Sequence, residues 1–314
     1  DGSLDAAIIF HELTHGVSNR LIGDAAGLNW IPGGGMGEGW SDFYALSLLN
    51  PVPSDDPDGR YPFGAYALYG MSGTFHDNYV YAVRKFPYST DNSINPLTWA
   101  DVDDTSVSMS GGLAPSPLGF QGNGASEVHN IGEIWALTLW EVRSRIIAQS
   151  GGDVAAGNQT TLQIVTDALK MTPIDPSFTD ARDALLDADC AAFACAHEEA
   201  IWGGFADRGL GYGAESSLGI AAHVGVKESF ASPSLDVASV AINDAAGDGN
   251  GRIDPGETIL LTVSLANPWR NSAKGVPSAS AVLSSATPGV VIGDSSSTFA
   301  AIAAQGTATG DPVS

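Results

Sequence analysis

The sequence HELTH at residues 11–15 carries the residue types that a metal-dependent hydrolase needs. On an α-helix, residues i and i+4 lie on one face, so His11 and His15 can direct two imidazoles at one metal ion. Glu12 points to the side, where its carboxylate can reach a water on that ion without being a ligand. The alternative is a pair of core histidines on a buried helix.

A glycine-rich segment at residues 33–39 offers the third ligand that such a zinc site requires. We expect a helix that begins near Glu38 and continues through Leu49, with the glycines allowing the backbone to come close. Glu38 is then the third metal ligand. Asp42, one turn later on the same face, can accept the free ring N–H of a ligating histidine. The alternative makes Glu38 and Asp42 a capping pair on a surface helix.

These two motifs, followed in order by several others, resemble the fungalysin family of secreted zinc metallopeptidases, whose catalytic core is thermolysin-like. HELTHGVSNRL and GGMGEGWSDF carry the metal site. Later family motifs are matched by residues 83–99, 127–136, 181–189 and 201–211. The likeness covers about residues 4–230. The linker between His15 and Glu38 is a few residues shorter than in fungal members and lacks their cysteine, which leaves the ligand set unchanged.

The resemblance implies roles for two further residues. His129 is expected to lie near a helix N-terminus and to donate a hydrogen bond to the developing oxyanion, although a lone histidine is otherwise more often a surface or core residue. Arg84 is expected to contact the substrate or the tetrahedral intermediate, with a structural ion pair as the alternative. The expected reaction is peptide hydrolysis by a zinc-activated water, with Glu12 as general base and then general acid.

In this family an N-terminal β-rich lobe forms the other wall of the cleft. Because the chain begins almost at the HELTH motif, we expect a fragment or processed product from which a signal, a pro-segment and the first lobe are missing. The activity of this chain by itself is therefore left open.

The charge balance restricts the partners. The chain has 36 acidic and 13 basic residues among 314, a net charge of −23. Such an acidic surface argues against nucleic acid and anionic membranes, and it fits a secreted hydrolase that acts on proteins or peptides. No stretch approaches the roughly 18 apolar residues that a membrane span requires. We expect a secreted monomer.

Cys190 and Cys195 are the two cysteines of the chain. In an exported protein, a pair this close most simply forms a local disulfide that staples the segment between two helices. A redox or metal-binding role is the alternative, although neither cysteine has a matching partner pair.

The expected fold class is α+β. Residues 1–230 should form the mainly α-helical C-terminal lobe of a thermolysin-like metallopeptidase, and residues 235–314 an immunoglobulin-like β-sandwich whose completeness is left open. Alternation at residues 258–265 predicts one of its strands. Helical patterns cover about residues 4–22, 38–50, 126–149, 160–171 and 178–189.

Residues 248–257 alternate oxygen-bearing side chains in the manner of calcium loops. Ile259 stands where the EF-hand pattern requires a bidentate glutamate, so a polar turn is favoured and Ca²⁺ is only a secondary cofactor hypothesis beside Zn²⁺.

Two other functions are compatible with the sequence: a non-catalytic surface or adhesion protein that retains a metallopeptidase scaffold, and a zinc aminopeptidase. A scaffold has no physical need for Glu12. The sequence also shows no carboxylate motif beside the zinc helix that would anchor a substrate N-terminus. A secreted zinc endopeptidase is therefore the preferred hypothesis.

Overall fold

The computed structural model describes residues 2–29, 31–50, 56, 58–69, 81–102, 127–216 and 226–314. The chain divides into two compact units, Asp1–Ser232 and Pro233–Ser314. Seven α-helices lie in the described part of the first unit: α1 (Ala6–Leu21), α2 (Gly33–Leu49), α3 (Ala65–Tyr69), α4 (Val128–Gln149), α5 (Val154–Met171), α6 (Phe178–Phe193) and α7 (Glu198–Asp207). None of the described helices has both the length and the apolarity to cross a bilayer.

Helix α1 begins where a carboxylate can cap it. Asp5 is the N-cap residue, and its Oδ1 accepts a hydrogen bond of 2.9 Å from the backbone N–H of Ala7. Its other oxygen accepts from the backbone N–H of Ala67, at 2.8 Å, on α3. One buried side chain therefore sets both the start of α1 and its attachment to α3.

Two helices begin earlier than their sequences predict. Helix α2 begins at Gly33 rather than near Glu38, although glycine is a poor helix former. A Cβ on Gly39 would lie 2.5 Å from the carbonyl oxygen of Gly132 on α4, so glycine allows the two helices to pack closely. This packing outweighs the low propensity. Helix α5 begins at Val154 rather than at residue 160, because Asp153 caps it.

Helix α4 is the centre of the first unit and packs against α2, α5 and α7. Its Trp135 is fully buried and makes ring contacts with aromatic side chains on three other helices. The ring centroids lie 5.5 Å from Trp40, 5.1 Å from Phe178 and 5.7 Å from Phe205. This aromatic cluster fixes α4 relative to α2, the helix that carries Glu38 and Asp42.

The segment 81–102, which has little regular structure, is held by one buried arginine. Arg208 follows α7, is fully buried and donates from Nε to Glu141 Oε1 at 2.9 Å. Its other nitrogens donate to the backbone carbonyls of Ser89, Asn95 and Leu97. A buried charge with this many partners ties the segment firmly to α4 and α7.

The predicted disulfide is present. Cys190 near the end of α6 is bonded to Cys195, just before α7. Nearby, the buried carboxylate of Asp189 accepts from the backbone N–H of His197 at 2.9 Å and contacts its ring Nδ1 at 2.7 Å. Covalent and polar contacts together close the connection between these two helices.

The second unit consists of short strands. Strands β1 (Asp236–Asn243), β2 (Leu260–Ala266) and β5 (Thr307–Thr309) form one antiparallel sheet in the order β1-β2-β5, and β3 (Ala279–Val282) pairs antiparallel with β4 (Ser296–Phe299). Leu265, Phe299 and Ile302 form a small core. The protein is thus of mixed α and β structure with small antiparallel sheets, while the immunoglobulin-like topology stays a prediction.

Candidate metal centre

Helices α1 and α2 bring the three predicted ligand side chains together. His11 and His15 lie one turn apart on α1, and their Nε2 atoms are 3.0 Å apart. Glu38 approaches from α2, with Oε2 3.1 Å from His11 Nε2 and Oε1 3.5 Å from His15 Nε2. The donor atoms of the three residues all lie within 4.8 Å of one another.

The spacing of these atoms fits a tetrahedral zinc ion. Ligands at about 2.0–2.1 Å from such an ion lie roughly 3.3–3.4 Å from each other. The two Nε2 atoms are 3.0 Å apart, and each has a different oxygen of Glu38 nearby, Oε2 at 3.1 Å from His11 and Oε1 at 3.5 Å from His15. Two imidazoles and one carboxylate are also a donor set that zinc peptidases use. The residues present therefore suit zinc in both geometry and chemistry.

The polar contacts shift the pKa values of this cluster. Burial opposes protonation of His11, but the hydrogen bonds with Asp42 and Glu38 outweigh burial and raise its pKa to about 9. Burial alone would raise the pKa of Glu38, but the hydrogen bonds with His11 and His15 outweigh it and hold the pKa well below its usual range. Glu38 is thus an anion, and a metal ion would compete with the proton on His11.

Asp42 lies behind His11. Its Oδ1 is 2.7 Å from His11 Nδ1, which leaves Nε2 of the same ring directed at Glu38. Asp42 is fully buried. Burial raises its pKa, but the charge of Arg84 and the hydrogen bond with His11 outweigh that and lower it below the ordinary value. A carboxylate in this position orients the ring and selects the nitrogen that faces the ion.

Arg84 forms a buried ion pair with Asp42, the alternative that the sequence left open beside a substrate contact. It is 3% exposed, and its Nε and Nη2 donate to the two oxygens of Asp42 at 2.6 and 2.7 Å. The pair uses two of the three guanidinium nitrogens of Arg84. The ion pair that was the alternative is thus present and supports Asp42, while a contact of Arg84 with the substrate stays a prediction.

His129 reaches the cluster from the first turn of α4. Its Nε2 is 3.4 Å from Glu38 Oε2, and its Nδ1 is 2.6 Å from Glu127 Oε1. Glu127 is also the N-cap of α4, where its other oxygen accepts from Asn130 N–H at 2.9 Å. Glu12 is exposed on α1, between the two histidines.

Sequence reasoning missed three residues around this cluster: Glu127, Tyr88 and Glu133. The hydroxyl of Tyr88 donates to Asp42 Oδ2 at 2.5 Å. Glu133, one turn after His129 on α4, accepts from the backbone N–H groups of Lys85 and Phe86, both at 2.8 Å. The i+4 spacing of His129 and Glu133 could have indicated that Glu133 lies near the cluster, since it puts both residues on one face of α4.

Gly132 sets the distance between α4 and Glu38. A Cβ at this position would lie 2.6 Å from Glu38 Cβ and 2.8 Å from the backbone of Gly35 and Gly39. We predict that Gly132→Ala pushes α2 away from α4, costs about 1–3 kcal/mol of stability, and weakens zinc binding by displacing Glu38. Thermal unfolding and zinc titration of the variant measure the two effects.

The matched control is Gly37→Ala, next to Glu38 on α2. A Cβ there meets only Leu28 Cδ1, at an ordinary 3.5 Å, among the contacts of the described residues. This variant should keep its zinc affinity and gain helix stability, by about 1 kcal/mol. Equal zinc affinity in both variants would show that the tight packing at Gly132 does not position Glu38.

A second acidic cluster lies in the β-strand unit. Carboxylate oxygens of Asp248, Asp254 and Glu257 approach within 4.8 Å of one another. The amide of Asn250 donates to Asp248 and Asp254, at 2.7 and 2.8 Å, and Glu257 accepts from the backbone of Asp248 at 2.8 Å. These bonds close a polar turn. Calcium binding by this turn stays a prediction of the sequence.

Comparison with known proteins gives a consistent result. The family model described as fungalysin metallopeptidase (M36) matches residues 1–214. The "Probable extracellular metalloproteinase 3" of Trichophyton verrucosum (strain HKI 0517) is 37% identical over 229 residues, which cover 68% of this chain and 31% of that protein. "Extracellular metalloproteinase 3" of Trichophyton soudanense is 36% identical over 229 residues, 68% of this chain and 51% of the relative.

The same coverage, 68% of this chain, is found with extracellular metalloproteinase 3 of Trichophyton rubrum, which is 36% identical. The chain spans between about a third and about half of the length of these curated relatives. The residues matched by the family model include both helices that carry the cluster of His11, His15 and Glu38, as well as α4. By its sequence, the chain belongs to the fungalysin (M36) family of metallopeptidases.

Proposed function

We propose that the first unit is the catalytic part of an extracellular zinc endopeptidase that acts on proteins or peptides. One observation carries the proposal: two imidazoles and one carboxylate, from two different helices, converge with their donor atoms within 4.8 Å of one another, close enough to share one zinc ion. The names of the relatives, extracellular metalloproteinases, support both the activity and the location. In this proposal His11, His15 and Glu38 hold the metal and Asp42 orients His11.

Bound zinc supplies Lewis acidity, which activates water and polarises a substrate carbonyl. Glu12 lies on the helix of the two histidines and has its side chain exposed, so it can meet substrate and water. As general base it takes a proton from the attacking water, and as general acid it gives the proton to the leaving amine. A scaffold protein or an adhesion protein would have no need for this carboxylate.

His129 is the proposed partner of the oxyanion. Its Nδ1 is held by Glu127, so its Nε2 is the atom directed at the metal cluster. A donor in such a place typically contributes a factor of about 10²–10³ in rate. With Nδ1–H bound to Glu127, Nε2 can donate to the oxyanion only when the ring of His129 carries a proton on both nitrogens, whereas His11 must present an unprotonated Nε2 to the metal. Glu127 therefore holds the ring of His129 in place, as Asp42 holds that of His11.

For the second unit we keep the hypothesis of an accessory β-sandwich of immunoglobulin type, with a domain boundary between residues 230 and 235. Two antiparallel sheets and a shared small apolar core support it. The division of the chain into compact units falls between Ser232 and Pro233. We also expect the protein to act as a monomer.

The proposal is tested with the full chain and an unstructured protein substrate. We expect hydrolysis that stops when a zinc chelator is added and returns with added zinc, because the proposed reaction requires the metal. The control is the same chelator saturated with zinc beforehand, which cannot remove zinc and so reveals any other effect of the chelator on the protein. Hydrolysis that is indifferent to the chelator, or a chain that binds no zinc, would contradict the proposal.

A further inference from the structure

The carboxylate of Asp42 uses all its hydrogen-bonding capacity inside the protein. Oδ1 contacts His11 Nδ1 at 2.7 Å and accepts from Arg84 Nη2 at 2.7 Å. Oδ2 accepts from Arg84 Nε at 2.6 Å and from the hydroxyl of Tyr88 at 2.5 Å. An ionised carboxylate has about four lone-pair sites, so these four contacts satisfy it completely at a position without solvent.

Tyr88 holds its position independently of Asp42. Its backbone N–H and C=O both pair with Tyr61, at 3.0 Å each. Just before it, the carboxylate of Glu133 binds the backbone N–H groups of Lys85 and Phe86. Tyr88 is itself fully buried. Its hydroxyl therefore has a fixed direction, set by α4 and by a strand-like pairing.

The arginine does not make the tyrosine redundant. The fork of Arg84 uses one lone pair on each oxygen of Asp42, and His11 uses the second one on Oδ1. The second lone pair of Oδ2 has Tyr88 as its partner. Without that hydroxyl, a buried acceptor site would be unsatisfied, and the carboxylate could turn to share its remaining partners differently. Such a turn would move the oxygen that holds His11.

Tyr88 also keeps its proton. Burial and the neighbouring charge of Asp42 raise the pKa of its hydroxyl well above the ordinary value. It remains a neutral donor, and its hydrogen bond to Asp42 adds no charge to the cluster.

We propose that Tyr88 is a positioning residue of the metal centre: its hydroxyl completes the bonding of Asp42, which fixes the oxygen that holds His11 Nδ1 and thereby directs Nε2 of His11 at the ion. This inference rests on the proposed function, because it assumes that His11 is a zinc ligand. Two residues of the segment 84–88, Arg84 and Tyr88, thus support His11 through their bonds to Asp42.

The test is Tyr88→Phe in the full chain, which deletes one oxygen and keeps the ring. Zinc affinity is measured by competition with a chromophoric chelator, and folding by thermal unfolding of the metal-free chain. We expect zinc to bind up to about 10-fold more weakly, because loss of the partner bonded directly to a metal-bound histidine typically costs 10–100-fold and Tyr88 acts one bond further out, through Asp42. The reason is a less well oriented His11.

Tyr44→Phe is the matched control. Tyr44 lies on α2, the same helix as Asp42, and its hydroxyl is 2.5 Å from Thr166 Oγ1 on α5. It loses a comparable hydrogen bond without touching the metal cluster, so its zinc affinity should equal that of the wild type. If Tyr88→Phe does not fold under these conditions, the titration is repeated for both chains in an excluded osmolyte such as TMAO, which favours the folded state, and the same weakening relative to the wild type is expected.

The outcomes separate the inference from the function on which it rests. Zinc affinity of the folded Tyr88 variant equal to or tighter than that of the wild type would overturn the inference, even if the variant is less stable. A wild-type chain that binds zinc without hydrolysing peptides would overturn the proposed function alone. A wild-type chain that binds no zinc would overturn both.

Discussion

Glu12→Gln is expected to abolish peptide hydrolysis while leaving one zinc ion bound per chain. Glutamine has nearly the same shape as glutamate but cannot accept the proton of the attacking water, and general acid–base catalysis contributes about 10²–10⁴-fold in rate. Because Glu12 is exposed and lies outside the cluster of His11, His15 and Glu38, its loss should not disturb the metal. Hydrolysis of an unstructured protein and zinc content by atomic absorption measure the two expectations.

Glu199→Gln provides the control, since it makes the same change of charge at an exposed position on α7. That variant should keep the wild-type rate. If Glu12→Gln were as active as this control, Glu12 would have no part in the reaction, and the proposed proton transfer would have to be assigned to another group.

Glu38→Ala is expected to lose zinc altogether during dialysis. Zinc in a catalytic site has three protein ligands, and alanine leaves only the two imidazoles of α1. The lost carboxylate also removes a negative charge that faces the proposed ion directly. The loss should exceed the 10–100-fold that removal of a supporting hydrogen bond costs. Zinc content after dialysis is the direct measurement, and hydrolysis should fall with it.

The comparison with Glu12→Ala separates a ligand from a neighbouring carboxylate. Both variants replace a glutamate beside the cluster by alanine, but only Glu38 has its oxygens within 3.5 Å of the histidine Nε2 atoms among the contacts that the structure describes. Glu12→Ala should therefore keep its zinc and lose only activity. Stoichiometric zinc in Glu38→Ala would mean that the third ligand is a different residue.

The parts of this site that depend on local spacing could be predicted from the sequence. His11 and His15 share a helix face because they are four residues apart, and Asp42 follows Glu38 by the same interval on α2. The disulfide was predictable for the same reason, since Cys190 and Cys195 are close in the chain. In each case the contact is set by neighbours along one element or by a short connection.

Contacts between distant segments were not predictable in this way. Tyr88 meets Asp42 across 46 positions of sequence, and Glu133 binds the backbone of Phe86 across 47. The early start of α2 at Gly33 depends on the fit of its glycines against α4, which no local propensity describes. Arg84 had two possible roles in the sequence, and its ion pair with the buried Asp42, across 42 positions, could not be read from local spacing.

The central claim is that one zinc ion is held jointly by α1 and α2. The most direct measurement is a crystal structure of the full chain with one equivalent of zinc, with diffraction data collected at the zinc absorption edge to locate the ion by its anomalous signal. We predict a single strong peak at about 2.0–2.1 Å from His11 Nε2, His15 Nε2 and a carboxylate oxygen of Glu38, with Glu12 uncoordinated. A peak elsewhere, or one beside the histidines with the Glu38 carboxylate outside bonding distance, would contradict it.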